Sequence, residues 1–187
     1  MRREKLLACA MRVFGRKGVA FARHSDVAKE ADVSLSTVFA YFPTRQALLK
    51  AVIDELSRWA LALAKRAHRI ELSPRQALYE HLVQLADLLE NDPEYARVWL
   101  SWSMVVDKSL ARAYRKLQRR VVGIIAETAR RGQRDGSIAP RLNPEDVALL
   151  IIGGAYVIAQ TKLTGRSRPE LERFARMVVA GTLPSGD

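Results

Sequence analysis

Residues 25–45 read Ser-Asp-Val-Ala-Lys-Glu-Ala-Asp-Val-Ser-Leu-Ser-Thr-Val-Phe-Ala-Tyr-Phe-Pro-Thr-Arg. Val27, Ala28 and Ala31 fall on one face of a first short helix, at the three-and-four spacing of an amphipathic helix. Val38 and Phe42, with Tyr41 beside them, do the same for a second. Ser34 or Ser36 supplies a cap, because a serine oxygen accepts from an orphan N–H at a helix start. Pro43 ends the second helix, since proline has no donor and restricts the residue before it. Ala28 is small where the two helices must approach closely. The turn needs a residue tolerant of positive φ, a place glycine often takes, and Asp32 stands there; aspartate enters that region more readily than most residues. This is a helix-turn-helix, whose second helix enters the DNA major groove.

Working outward, residues 5–50 resemble the TetR family of transcriptional regulators. The resemblance rests on Ala10, Val13, Phe14 and Gly18, then Asp26-Val27-Ala28, Ala31-Asp32-Val33-Ser34, Ser36 to Phe42, Arg45 and Leu48. The runs His24 to Ala28 and Thr37 to Arg45 are similar to the quorum-sensing master-regulator branch of that family. The resemblance implies Thr37, Tyr41 and Arg45 as phosphate contacts. Where the family usually has threonine this chain has Arg23, which offers a charge-assisted contact instead. Ser34, Ser36 and Lys50 are further candidates for holding phosphates. Base readers must project from the exposed face of the second helix, and Leu35, Ser36, Phe39 and Ala40 are the candidates, with packing an equal alternative for Phe39. Apolar side chains meet thymine methyls and serine bonds either kind of base edge. His24 is read as a packing or surface residue, with a phosphate contact as the alternative.

The chain has 187 residues and a formal net charge of +11. Residues 1–50 hold ten Lys or Arg against four acids, so more than half of the excess lies in about a quarter of the length. That asymmetry fits a polyanion-binding end. One cysteine, Cys9, excludes an internal disulfide framework and reads as a small buried apolar residue. No secretory leader is visible, and the run Val147–Ala159 is too short and glycine-interrupted to span a membrane. A cytoplasmic protein that does not enter membranes is expected.

The rest of the chain reads as all helix, about nine helices in total. The first runs from Arg3 to Lys17. Thr44 caps a long helix, Arg45 to His68, which links a DNA-binding domain (1–47) to a regulatory and dimerisation domain (48–187). Ser73-Pro74 opens the next, since proline suits the first helical position. Helices from Glu94 to Val106, Lys108 to Gly132, Asn143-Pro144 to Leu163 and Arg168-Pro169 to Gly181 follow. The helix after Pro144 is apolar almost all round and must be covered on several faces. The resemblance implies that the last two helices pair with their copies in a four-helix bundle. Leu150, Gly153, Gly154, Val157, Phe174 and Val178 are the interface candidates.

Aromatics gather in the middle of the chain, and ligand pockets are mostly apolar with a few polar groups. Trp99, Trp102, Ser103, Tyr156 and Gln160 are the candidates for an effector pocket of the kind the family implies. No HExxH, nucleophile elbow or Walker loop occurs, and His24, His68 and His81 are scattered, so no enzyme, metal or cofactor is expected. The expected function is a dimeric regulator of double-stranded DNA, a repressor released by a small apolar or amphipathic effector. The alternatives are a helical ligand-binding or scaffold protein whose basic end meets RNA or another polyanion, and a global regulator without an effector.

Overall fold

The computed structural model describes residues 2–104 and 108–183. Among them are nine helices and no strand: α1 (Arg2–Lys17), α2 (His24–Ala31), α3 (Leu35–Tyr41), α4 (Arg45–Ala67), α5 (Pro74–Asn91), α6 (Pro93–Ser103), α7 (Lys108–Arg134), α8 (Pro144–Leu163) and α9 (Arg168–Ala180). The expected end of α6 at Val106 lies outside the described residues. Local chemistry sets the boundaries. Gly18 takes a φ of 82° just after α1, where a side chain would be strained. Asn143 caps α8, its Oδ1 accepting from the N–H groups of Glu145 and Asp146 at 2.8 and 3.2 Å. Ser167 precedes α9, and its N–H donates to Glu170 Oε2 at 3.0 Å.

The chain divides into two compact units, Met1–Trp59 with Asp92–Tyr114, and Ala60–Asn91 with Arg115–Asp187. The first therefore reaches beyond residues 1–47, because α6 packs on α1. Val19 N–H donates to Ser101 Oγ at 3.2 Å. Tyr95 stacks on Trp59 with ring centroids 5.1 Å apart and donates its hydroxyl to Glu55. Cys9 is buried in this unit, as its place on α1 requires.

In the second unit α5 packs against both α8 and α9, and α8 against α9. Leu78, Leu82, Leu85, Ile151 and Ile158 are buried there. Ion pairs hold α5 from the side, Lys162 to Glu90 at 3.1 Å and Arg168 to Asp87. The expectation of too short an apolar run in α8 needs correction: the helix has 20 residues and is, by length and composition alone, apolar enough to cross a membrane. Val147, Ala148, Ile151, Ala155 and Ile158 are nevertheless buried against protein, as in the core helix of a globular unit.

Gly154 is one of the buried positions. A Cβ there would stand 3.1 Å from Val178 Cγ1. Gly154 and Val178 thus face each other inside the unit, where sequence reasoning had put both on an outer interface. Gly153, Leu149, Leu150 and Val157 on α8, and Met177 on α9, are exposed. Phe174 is half-buried.

Candidate nucleic-acid interface

The turn between α2 and α3 is closed by Asp32, at φ 52° and ψ 54°, with its N–H on the carbonyls of Ala28 and Lys29. The left-handed residue reverses the chain, and Ser34 then starts α3. Its Oγ accepts from Thr37 N–H at 3.2 Å and lies 2.8 Å from both Ser36 Oγ and Thr37 Oγ1. Of the two serines read as capping candidates, Ser34 is the cap. The result is three hydroxyls gathered at the start of α3.

Val38 and Phe42 are buried, which fixes the rotation of α3. Leu35, Ser36, Phe39, Ala40 and Tyr41 are therefore left exposed along it. Phe39 stacks on His24, with centroids 4.4 Å apart and planes 13° from parallel. His24 is itself buried and its Nε2–H donates to the Phe42 carbonyl at 2.8 Å. The histidine is thus a packing residue that backs Phe39 and ties α2 to the end of α3.

Arg45 is placed differently from its expected role. Its Nε donates to the Ala22 carbonyl at 3.2 Å, and its Nη2 to the carbonyls of Val19 and Ala20 at 2.8 and 2.7 Å. The guanidinium clamps the turn between α1 and α2. Arg23 and Lys29 are exposed, with no ion-pair partner among the described residues. Asp26 accepts from Arg23 N–H at 3.0 Å and pairs with Lys17, and these bonds hold its carboxyl below the usual range. Glu30 likewise takes Arg12 and Arg16. Lys50 is exposed and pairs with Asp54. The acids of this end sit on α1, α2 and α4 and, as Asp32, in the turn before α3; α3 itself carries no charge of either sign.

A cleft of about 470 Å³ opens beside α3, lined by Arg23, His24, Ser25, Leu35, Phe39 and Phe21 among others. Phe21 is 76% exposed. Sequence reasoning missed it, because a lone aromatic in a turn carries no periodicity to mark its direction.

The proposed effector residues are divided between the units: Trp99, Trp102 and Ser103 in the first, Tyr156 and Gln160 in the second. Trp102 is buried, packs edge-on against Tyr114 at 5.3 Å and donates Nε1–H to the Leu110 carbonyl. It is a core residue whose polar atom is satisfied. Trp99 and Tyr156 are half-buried, and Gln160 is exposed. Ser103 Oγ donates back to Leu100.

The histidines are less scattered than the sequence suggests. His68 Nδ1 lies 2.9 Å from Thr128 Oγ1, and His68 Nε2 lies 3.1 Å from His81 Nδ1. Burial pushes His81 down to about 4. Burial, with His81 and Arg131 nearby, pushes His68 down to about 3. Both rings are neutral at physiological pH. Among the described residues, no three His, Cys, Asp or Glu side chains are grouped to hold a metal.

Residues 6–52 match the model of bacterial regulatory proteins of the tetR family, and residues 74–153 that of the C-terminal part of BetI-type transcriptional repressors. The chain is 25% identical over 170 residues to the HTH-type transcriptional regulator LuxR of Vibrio harveyi, covering 91% of this chain and 83% of that protein. It is 28% identical over 164 residues to the HTH-type transcriptional regulator BetI of Agrobacterium fabrum, covering 84% and 73%. Among solved structures, the regulator FadR of Bacillus subtilis in complex with stearoyl-CoA superposes with a TM-score of 0.77 at 17% identity, over 95% of each chain.

Proposed function

We propose that this chain, which belongs to the TetR family of bacterial regulatory proteins and is a transcriptional regulator, is a repressor released from duplex DNA by a small apolar or amphipathic molecule. The carrying observation is the exposed face of α3, uncharged and set by a left-handed Asp32 and a Ser34 cap. Leu35, Ser36, Phe39 and Ala40 read base edges. Ser34, Thr37 and Tyr41 hold phosphates, aided by Arg23 and Lys50. Arg45 acts through the turn it clamps. Residues 1–47 form the DNA-binding module, residues 48–187 regulate and dimerise, and the protein works without catalysis in the cytoplasm.

Dimerisation supplies the second half-site, and two linked modules gain affinity that one lacks. Leu150, Gly153 and Val157, joined by Leu149 and Met177, are the face assigned to it, since they are apolar and exposed. The effector is assigned to the unit of Ala60–Asn91 and Arg115–Asp187. In FadR of Bacillus subtilis, whose fold is similar, stearoyl-CoA is the bound molecule. The α4 helix continues from one unit into the other and carries the coupling.

Competition between duplex DNA and single-stranded RNA tests the reading. Ser36→Ala or Phe39→Ala should change which duplexes bind, whereas Thr37→Ala should weaken all of them by similar factors. Equal competition by RNA would support the scaffold alternative.

A further inference from the structure

A second cleft, of about 700 Å³, lies in the unit of Ala60–Asn91 and Arg115–Asp187. That volume is within the usual range of small-molecule sites. One wall is the last turns of α4 and the turn after it, with Leu61, Lys65, His68 and Ile70. The other is a single stripe of α7, where Arg120, Gly123, Ile124, Glu127, Thr128, Arg131 and Arg134 recur every three or four residues.

The charges on this lining are unbalanced. Its one acid, Glu127, is already shared between Arg134 at 3.2 Å and Arg130 at 3.5 Å. Arg131 donates to the Leu72 carbonyl at 2.5 Å. Lys65 and Arg120 have no ion pair or hydrogen bond among the described residues. His68 is neutral beside His81, so the positive character of the cleft comes from its Lys and Arg side chains. Leu61, Ile70 and Ile124 supply apolar surface, and Ile70 is 73% exposed. Cations without partners beside the exposed Ile70 and the half-buried Ile124, with Leu61 buried behind them, are complementary to a molecule carrying both a negative head and an apolar body.

We propose that this cleft binds an organic anion with an apolar body, its carboxylate or phosphate head held by Lys65 and Arg120 and its body lying on Leu61, Ile70 and Ile124. The proposal rests on the effector reading above and gives that effector a charge and a place.

Calorimetry on the full chain tests it with three probes of equal chain length: decanoate, decyl phosphate and the neutral decanol. At least one anion should bind, with decanol about tenfold weaker or more. Binding by decanoate alone or by decyl phosphate alone identifies the head group. Lys65→Glu with Arg120→Glu should weaken the anion by about tenfold or more and leave helical content unchanged, because both side chains are exposed. Decanol binding as tightly as the anions, an anion affinity untouched by the double change, or no binding at all would overturn the proposal. Operator affinity of the unchanged protein is measured alongside. Duplex binding without anion binding sinks the cleft and leaves the regulator standing, whereas anion binding without duplex binding does the reverse.

Discussion

Acidification should destabilise the fold well before its carboxylates titrate, because the buried His81 and the half-buried His68 are both held neutral. Their folded values lie at about 3 and about 4, against 6.5 for the free side chain. A depressed folded value means that the unfolded chain takes up the proton first. The stability is fully present above the unfolded value and is lost as pH falls from there toward the folded values. Each group contributes a slope of about 1.4 kcal/mol per pH unit, so the pair costs about 4 kcal/mol between about pH 7.5 and about pH 5. Domains are stable by only about 5–15 kcal/mol, so the loss is large. Asp26 and Glu30 are held below their ordinary carboxylate range by their cations, and they act only at lower pH. Urea unfolding followed by circular dichroism at the two pH values measures the difference. The double change His68→Gln, His81→Leu should flatten the dependence over that interval. A wild-type stability constant to within about 1 kcal/mol across it would refute the argument, because histidines held neutral in the fold require the slope.

Arg45→Ala should cost about 2 kcal/mol of stability through three lost charge-assisted hydrogen bonds, while the salt dependence of operator binding stays unchanged. A slope flattened by about one unit would show instead that Arg45 touches a phosphate. Arg23→Ala should flatten that slope by about one unit with little change in stability, read by gel shift at several salt concentrations. Leu150→Glu with Val157→Glu should give a folded monomer by light scattering, since both side chains are exposed; a persistent dimer would place the interface elsewhere. Val178→Asp should instead unfold the protein, at a cost of about 3 kcal/mol or more, because the charge would be buried against Gly154.

Much of the helical order is legible because local chemistry decides it. Pro93 and Pro144 fall at helix starts, Gly18 at a helix end, and Asp32 at the one non-glycine positive φ among the described residues. The face of α3 is legible as well, since Val38 and Phe42 alone fix its rotation. What stays hidden is set by distant partners. The Arg45 clamp uses backbone carbonyls more than twenty residues away, and any residue types at Val19 and Ala20 would offer them. The His68–His81 pair bridges the end of α4 and the first turns of α5, and no spacing rule joins them. Which of Gly153 and Gly154 faces inward is unreadable in a helix apolar all round, because every rotation leaves an apolar stripe. The packing of α6 on α1 has no sequence signal either, so the compact units depart from a division at residue 47.

Selection of bound fragments from random duplex DNA tests the central claim most directly. The expected result is an enriched inverted repeat, with half-sites about one helical turn or a multiple of it apart. Leu35→Ala, Ser36→Ala or Phe39→Ala should alter that sequence while leaving its spacing intact. Recovery of unenriched fragments, or an enriched sequence indifferent to all three substitutions, would contradict the claim that α3 reads DNA.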